Sequence, residues 1–239
     1  MQNNLPENYI KVLDKGYVGL VGTMGTDLEV VNAARVSYDK LASLDENGEL
    51  KQRDRNLLSF LWNNGHTSPF RHATMSFEVY APLMVARQHW KYAVASTFVD
   101  DQNGWNESSR RYITEEPEFY VPEYFREAPE NSKQGSGASF AAITNEVWQD
   151  VLKRHIKTSE DLYQTALSSG VCAEQARLFL PAYGMYVRYR WTVSLHGVLN
   201  FLQQRLEHDA QKEIQEYAQA VRDLVKETFP QTYKTVFNG

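Results

Sequence analysis

"YVRYRWTVSLHGVLNFLQQR", Tyr186 to Arg205, followed by "LEHDAQKEIQEYAQAVRDLV", Leu206 to Val225, changes its hydrophobic period partway along. Val187, Tyr189, Trp191 and Val193 alternate with Arg188, Arg190 and Thr192, the two-residue period of a strand that packs one face and presents guanidinium groups on the other. Two helices are predicted to follow. In the second, Ala210, Ile214, Tyr217, Ala218, Val221, Leu224 and Val225 form one apolar stripe at helical spacing. A strand with one packing face beside helices with apolar stripes predicts an α+β fold in which helices dominate.

Upstream, "YIKVLDKGYVGLVGTMG" reads as short strands broken by Gly16, Gly22 and Gly25. "TDLEVVNAARVSYDK" opens with Thr26 and Glu29 at capping-box spacing, so a helix is expected there. "LKQRDRNLLSFLWNNG" predicts a second helix, with Leu57, Leu58 and Leu61 on one face and Gly65 as its stop. "HATMSFEVYAP" puts Met75, Phe77 and Val79 on one face of a strand, and Pro82 suits the start of the helix "PLMVARQHWKYAVAS". "PENSKQGSGAS" is expected to be a surface loop before a long helix from Phe140 to Gly170. Neither side of that loop looks self-sufficient, so residues 1–239 are expected to form a single domain.

Composition narrows the function classes. The chain has 239 residues, 42% of them hydrophobic, enough for a sizeable core. Its 25 basic and 30 acidic residues give a net charge of −5, which argues against nonspecific binding to nucleic acid or an anionic membrane. The single cysteine, Cys172, excludes an intramolecular disulfide and a cysteine-based zinc site, and its thiol is expected to pack. No basic and apolar leader or spanning stretch is evident, so a soluble cytoplasmic protein is expected.

Positive charge matters where it clusters. "NESSRRY", Asn106 to Tyr112, brings a carboxylate, two hydroxyls and two guanidinium groups into seven residues. Such a set suits a phosphate and a heterocycle, as in a nucleotide, or else a solvated loop with local ion pairs. "HTSPFRH" has two histidines six residues apart, which is not the spacing of a helical metal pair, and no metal is expected. Arg177 and Arg205 sit beside apolar residues and must snorkel outward or meet an anion, and Asn200 interrupts an apolar face. The commoner phosphate-loop, dinucleotide, zinc-protease and nucleophile-elbow signatures are absent.

Five ordered blocks carry a resemblance: "LDKGYVGLVGTMGTDLEVVNAARVSYDK", "NNGHTSPFRHATMSFEVYAPLMVARQ", "NESSRRY", "ARLFLP" and "RYRWTVSLHGVLNFLQQRLEHDAQKEIQEYA". Together, over nearly the whole chain, they resemble the flavin-dependent thymidylate synthases. The resemblance implies a helix-rich fold around a central antiparallel sheet. It also implies a homotetramer with shared active sites that hold FAD, dUMP, methylenetetrahydrofolate and, in turn, NADPH. The implied reaction methylates carbon 5 of dUMP to give dTMP.

Arg205 matches the family's catalytic arginine, which stabilises charge on the uracil as carbon 5 becomes nucleophilic. For dUMP the resemblance implies Ser109 and Arg111 at the phosphate, with Gln88, Lys91, Ser108, Arg110 and Arg177 around the nucleotide and Glu107 between nucleotide and flavin. For FAD it implies Ser37, His66, Lys91, Tyr92, Ser194, His196, Asn200 and Asp209.

The chain also departs from the family pattern. Ser194 and His196 stand where the family has Asn and Arg, and Lys91, Tyr92 and Ala93 where it has an Arg-His-Arg triplet. The approach to "NESSRRY" is about eight residues longer, through "STFVDDQNGW", and Asp100 and Asp101 there would repel phosphates if they faced the site. Arg87 and Lys91 are helix neighbours that can replace part of the lost charge, whereas His89 points elsewhere. Altered flavin or folate handling is therefore expected. Two further readings stay open: hydroxymethylation of a pyrimidine nucleotide, and nucleotide binding without catalysis.

Overall fold

The structure, a computed structural model, describes residues 5–94, 104–113, 115–129 and 135–237, with only the backbone of residues 93 and 94. Most of the "STFVDDQNGW" segment, with Asp100 and Asp101, lies outside the described residues. So do Ala95 and part of the "PENSKQGSGAS" loop.

The first strands are β1 (Tyr9–Val12) and β2 (Gly16–Met24), followed by α1 (Asp27–Arg35) and α2 (Gln52–Asn63). The Thr26 hydroxyl accepts from the Leu28 N–H and the Glu29 carboxylate accepts from the Thr26 N–H at 2.8 Å, the capping box expected from sequence. Gly65, at φ +69, lies just past the end of α2, in the left-handed region that favours glycine. Then come β3 (Thr74–Pro82), α3 (Leu83–Val94) and β4 (Gly104–Glu107). Pro82 is the last residue of β3, opposite Tyr186, rather than the first of the helix.

The second half carries α4 (Ala142–Ser168), α5 (Ala173–Ala176), β5 (Tyr186–Ser194), α6 (Leu195–Arg205), α7 (Lys212–Thr228) and α8 (Pro230–Phe237). Strands of both halves meet in one antiparallel sheet, in the order β1-β2-β3-β5-β4. The central pair, β3 and β5, joins Thr74 to Ser194 and Pro82 to Tyr186 without a break in register.

The inner face of the sheet carries Met75, Phe77, Val79, Val187, Tyr189, Trp191 and Val193, all buried. It is covered by α6 through Leu199, Phe201 and Leu202 and by α7 through Ile214, Tyr217, Val221 and Leu224, so the predicted stripe is core. On the outer face Arg190 pairs with Glu78 at 3.0 Å, so one of the two strand guanidiniums is engaged within the sheet. A smaller core, Phe119, Tyr163, Ala166, Ala176 and Leu180, lies beneath α4. Cys172 is exposed, against the expectation that it packs, because it precedes the short α5 at the surface.

Candidate active site

Helix α3 divides its residues cleanly. Arg87, Trp90 and Lys91 are exposed, while His89 is only 1% exposed. The His89 ring stacks on Phe201 at 4.3 Å, stands edge-on to Trp191, and places Nδ1 2.9 Å from the Tyr189 hydroxyl. Burial pushes its pKa down to about 3, so the imidazole is neutral at physiological pH. His89 therefore points away from Arg87 and Lys91, as the helical spacing requires. Gln88 is anchored: its amide donates to Gln211, whose own amide donates to Glu213 at 2.8 Å. Glu213 also accepts from Arg126 at 2.8 and 2.9 Å. Burial alone would raise the Glu213 pKa, but these donors and the Arg126 charge bring it below the usual carboxylate range.

The "NESSRRY" segment begins as β4 and ends as a turn. Trp105 stacks on Tyr189 at 4.2 Å, which fixes the strand against the sheet. The Ser108 N–H donates to the Arg188 carbonyl and its hydroxyl accepts from the Arg188 N–H, so this side chain completes the ladder. The Ser109 carbonyl accepts from Tyr112 and Ile113, closing the turn that presents the exposed Arg111. Arg110 turns the other way, 5.9 Å over the Tyr163 ring, with its Nε buried and without a hydrogen-bond partner.

Among the described residues no salt bridge forms within this segment. Glu107 is exposed at its edge, yet desolvation raises its pKa against a hydrogen bond from Trp105 and the nearby Arg87 charge.

Arg205 ends α6. Its guanidinium carbon lies 4.0 Å from the centre of the Tyr92 ring, and its Nε is buried with no hydrogen-bond partner. Among the described residues it pairs with no carboxylate, and the Tyr92 ring lies against its guanidinium. Arg177 is exposed and donates from Nε to the Glu174 carbonyl at 3.1 Å. Its neighbour Ala176 packs in the same small core as Tyr163, beneath Arg110.

The residues expected at the flavin lie on α6 and on segments before and after it. His66 is exposed with Phe60 edge-on at 5.8 Å, and His196 lies 6.2 Å from Trp62. Asn200 is half-buried one turn beyond His196 on the same helix face. Ser37 is exposed in the short helical segment Val36–Tyr38, beside the exposed Val36, Tyr38 and Leu41.

Ser194 is fully buried, and its hydroxyl accepts from the Gly197 N–H at 3.2 Å. That side chain is thus committed to the N-cap of α6, and any part it plays with a ligand passes through the helix start it builds. Asp209 is exposed in the turn after α6. Hydrogen-bonding groups beside aromatic rings and a helix N-terminus fit a flavin dinucleotide, whose isoalloxazine needs polar contacts and whose phosphates need donors.

His196 and Arg205 are nine residues apart, roughly two and a half helical turns, so they leave α6 on opposite faces. Sequence reasoning did not find the buried His89 contacts, the Gln88-Gln211-Glu213-Arg126 chain or the Tyr92-Arg205 contact. The helical positions of Gln88 and Tyr92 were visible, but their partners lie more than a hundred residues away.

Arg87 and Lys91 are exposed one helical turn apart on α3, and Tyr92 on the same helix meets Arg205. Residues 19–231 match the family model described as thymidylate synthase complementing protein. The chain is 36% identical over 224 residues to the flavin-dependent thymidylate synthase of Thermosipho africanus, covering 94% of this chain and 92% of that one. It is 38% identical over 221 residues to that of Thermus thermophilus, covering 92% and 75%. A UMP/dUMP methylase, PolB from Streptomyces cacaoi bound with 5-Br dUMP, has a similar structure, with a TM-score of 0.76, 27% identity and coverage of 95% and 96%. The chain belongs to the flavin-dependent thymidylate synthase family.

Proposed function

We propose that this protein methylates carbon 5 of dUMP to give dTMP, with FAD as cofactor and methylenetetrahydrofolate and NADPH as co-substrates. The observation that carries the reading is Arg205, a guanidinium held against the Tyr92 ring and paired with no carboxylate of the described residues. A fixed cation at the uracil carbonyl and imide stabilises the negative charge that develops as carbon 5 attacks the one-carbon unit. Arginine suits that role because it stays charged at every relevant pH and acts by electrostatics rather than as a base.

Ser109 and Arg111, on the turn after β4, are suited to the nucleotide phosphate. Lys91 and Arg87, exposed one helical turn apart on α3, supply further positive charge where the family's triplet is missing. Gln88 orients an amide toward the nucleotide from its anchor on Gln211. Ser37, His66, His196 and Asn200 hold the flavin, which when bound supplies the hydride that completes the methyl group. The dUMP reading is supported by the methylase whose structure with 5-Br dUMP resembles this one.

We further propose a cytoplasmic homotetramer with sites shared between subunits. His196 leaves α6 on the face opposite Arg205, an arrangement that favours a site completed by a second subunit. Ile143, Val147, Trp148 and Val151 form an exposed apolar stripe on α4 of the kind that subunits bury. The test is mass spectrometry of the product formed from dUMP, methylenetetrahydrofolate, NADPH and FAD. dTMP supports the reading, whereas 5-hydroxymethyl-dUMP or unchanged dUMP defeats it.

A further inference from the structure

The contact between Tyr92 and Arg205 is the upper of two rungs that join α3 to α6. In the lower rung His89 stacks on Phe201 at 4.3 Å and 22°. One turn further along both helices, the Tyr92 ring meets the Arg205 guanidinium at 4.0 Å. His89 cannot slide, because Nδ1 is 2.9 Å from the Tyr189 hydroxyl and Trp191 closes its edge. The lower rung therefore sets the height at which Tyr92 presents its ring.

A guanidinium can be held in two ways. A carboxylate holds it through its N–H edge, which consumes donors and neutralises the charge. An aromatic ring holds it through its flat face and leaves the whole N–H edge, with its charge, for something else. Arg205 is held in the second way, and no carboxylate of the described residues forms a salt bridge with it. Its Nε is buried against the protein, which further fixes the direction of the guanidinium.

We infer that Tyr92 is a positioning residue for Arg205: its ring carries the guanidinium face so that the free N–H edge addresses the carbonyl and imide of the pyrimidine. The inference rests on the dUMP reading above. It gives the residue at the centre of the divergent triplet a task in this chain that a charged side chain there would oppose. What matters is the aromatic face, so the effect should follow ring character and not side-chain volume.

The test compares Tyr92→Phe and Tyr92→Leu in the full chain, alone and combined with Arg205→Ala, using calorimetric titration of dUMP and thermal melting as a fold control. Tyr92→Phe should keep the dUMP dissociation constant within about threefold, and Tyr92→Leu should weaken it by roughly tenfold, the scale of a desolvated cation-ring contact. In the Arg205→Ala background Tyr92→Leu should have almost no further effect. Where turnover is measurable, the leucine variant should lose kcat with little change in melting.

Leucine and phenylalanine variants of equal affinity, or losses that add in full in the double variant, would overturn the inference while leaving the dUMP reading intact. A wild-type protein that does not bind dUMP would overturn both. Should the leucine variant fail to fold, Tyr92→Met serves in its place, with the same outcomes deciding.

Discussion

The imidazole of His89 and the phenol of Tyr189 form a buried pair, Nδ1 to hydroxyl at 2.9 Å, between α3 and the centre of the sheet. Because burial depresses the His89 pKa to about 3, the folded state favours the neutral ring. Such a group stabilises the fold fully above its unfolded pKa of about 6.5 and loses that contribution as pH falls toward the folded value. The melting temperature should therefore decline as pH is lowered from 6.5 toward 3. His89→Phe should flatten that decline and cost about 1–3 kcal/mol at neutral pH, since the Tyr189 hydroxyl loses its partner. Calorimetric melts of both proteins across this range check it, and parallel curves would refute the assignment.

That pair also shows where sequence reading stops. Periodicity placed the strand 186–194, both following helices and the capping box of α1, because each rests on spacing within one segment. It also placed His89 on a different face from Arg87 and Lys91. What those faces meet depends on long-range packing: Phe201, Gln211 and Arg205 are remote in sequence from the α3 residues they touch. Ser194 illustrates the limit in reverse, since a hydroxyl expected at a ligand is buried as a helix cap. The family was legible through the order of five blocks, and the contact geometry of its residues was not.

Asp27 acts across the molecule as an N-terminal cap for α8. Its carboxylate accepts from the N–H of Gln231 at 2.8 Å, and from the N–H and hydroxyl of Thr232 at 2.9 and 2.6 Å. Asp27→Ala should lower stability by about 1–2 kcal/mol, as loss of a helix cap does. Hydrogen exchange should rise first in residues 230–237. Unchanged protection of α8 would contradict the role.

The Arg126-Glu213 pair anchors the Gln211 amide that in turn holds Gln88. Removing one partner of a largely buried pair leaves a charge without compensation. Arg126→Met should therefore cost about 3–5 kcal/mol by urea unfolding. Glu213→Gln, which keeps the volume and one acceptor, should cost less and should still weaken dUMP binding by releasing Gln211. A glutamine variant with unaltered dUMP affinity would separate this network from the site.

Arg205→Ala should cut product formation severely and leave the protein folded, because among the described residues the side chain forms no salt bridge and holds no backbone group. Losing a charge stabiliser aimed at the reacting ring costs about 10²–10³ in turnover where such groups have been removed. The expected result combines that loss with a melting temperature close to wild type. Arg205→Lys sharpens the test: an ammonium keeps the charge but lacks the flat face that Tyr92 carries and the forked edge, so it should recover only part of the lost turnover. Full turnover with lysine would show that charge alone suffices, and full turnover with alanine would remove Arg205 from the chemistry.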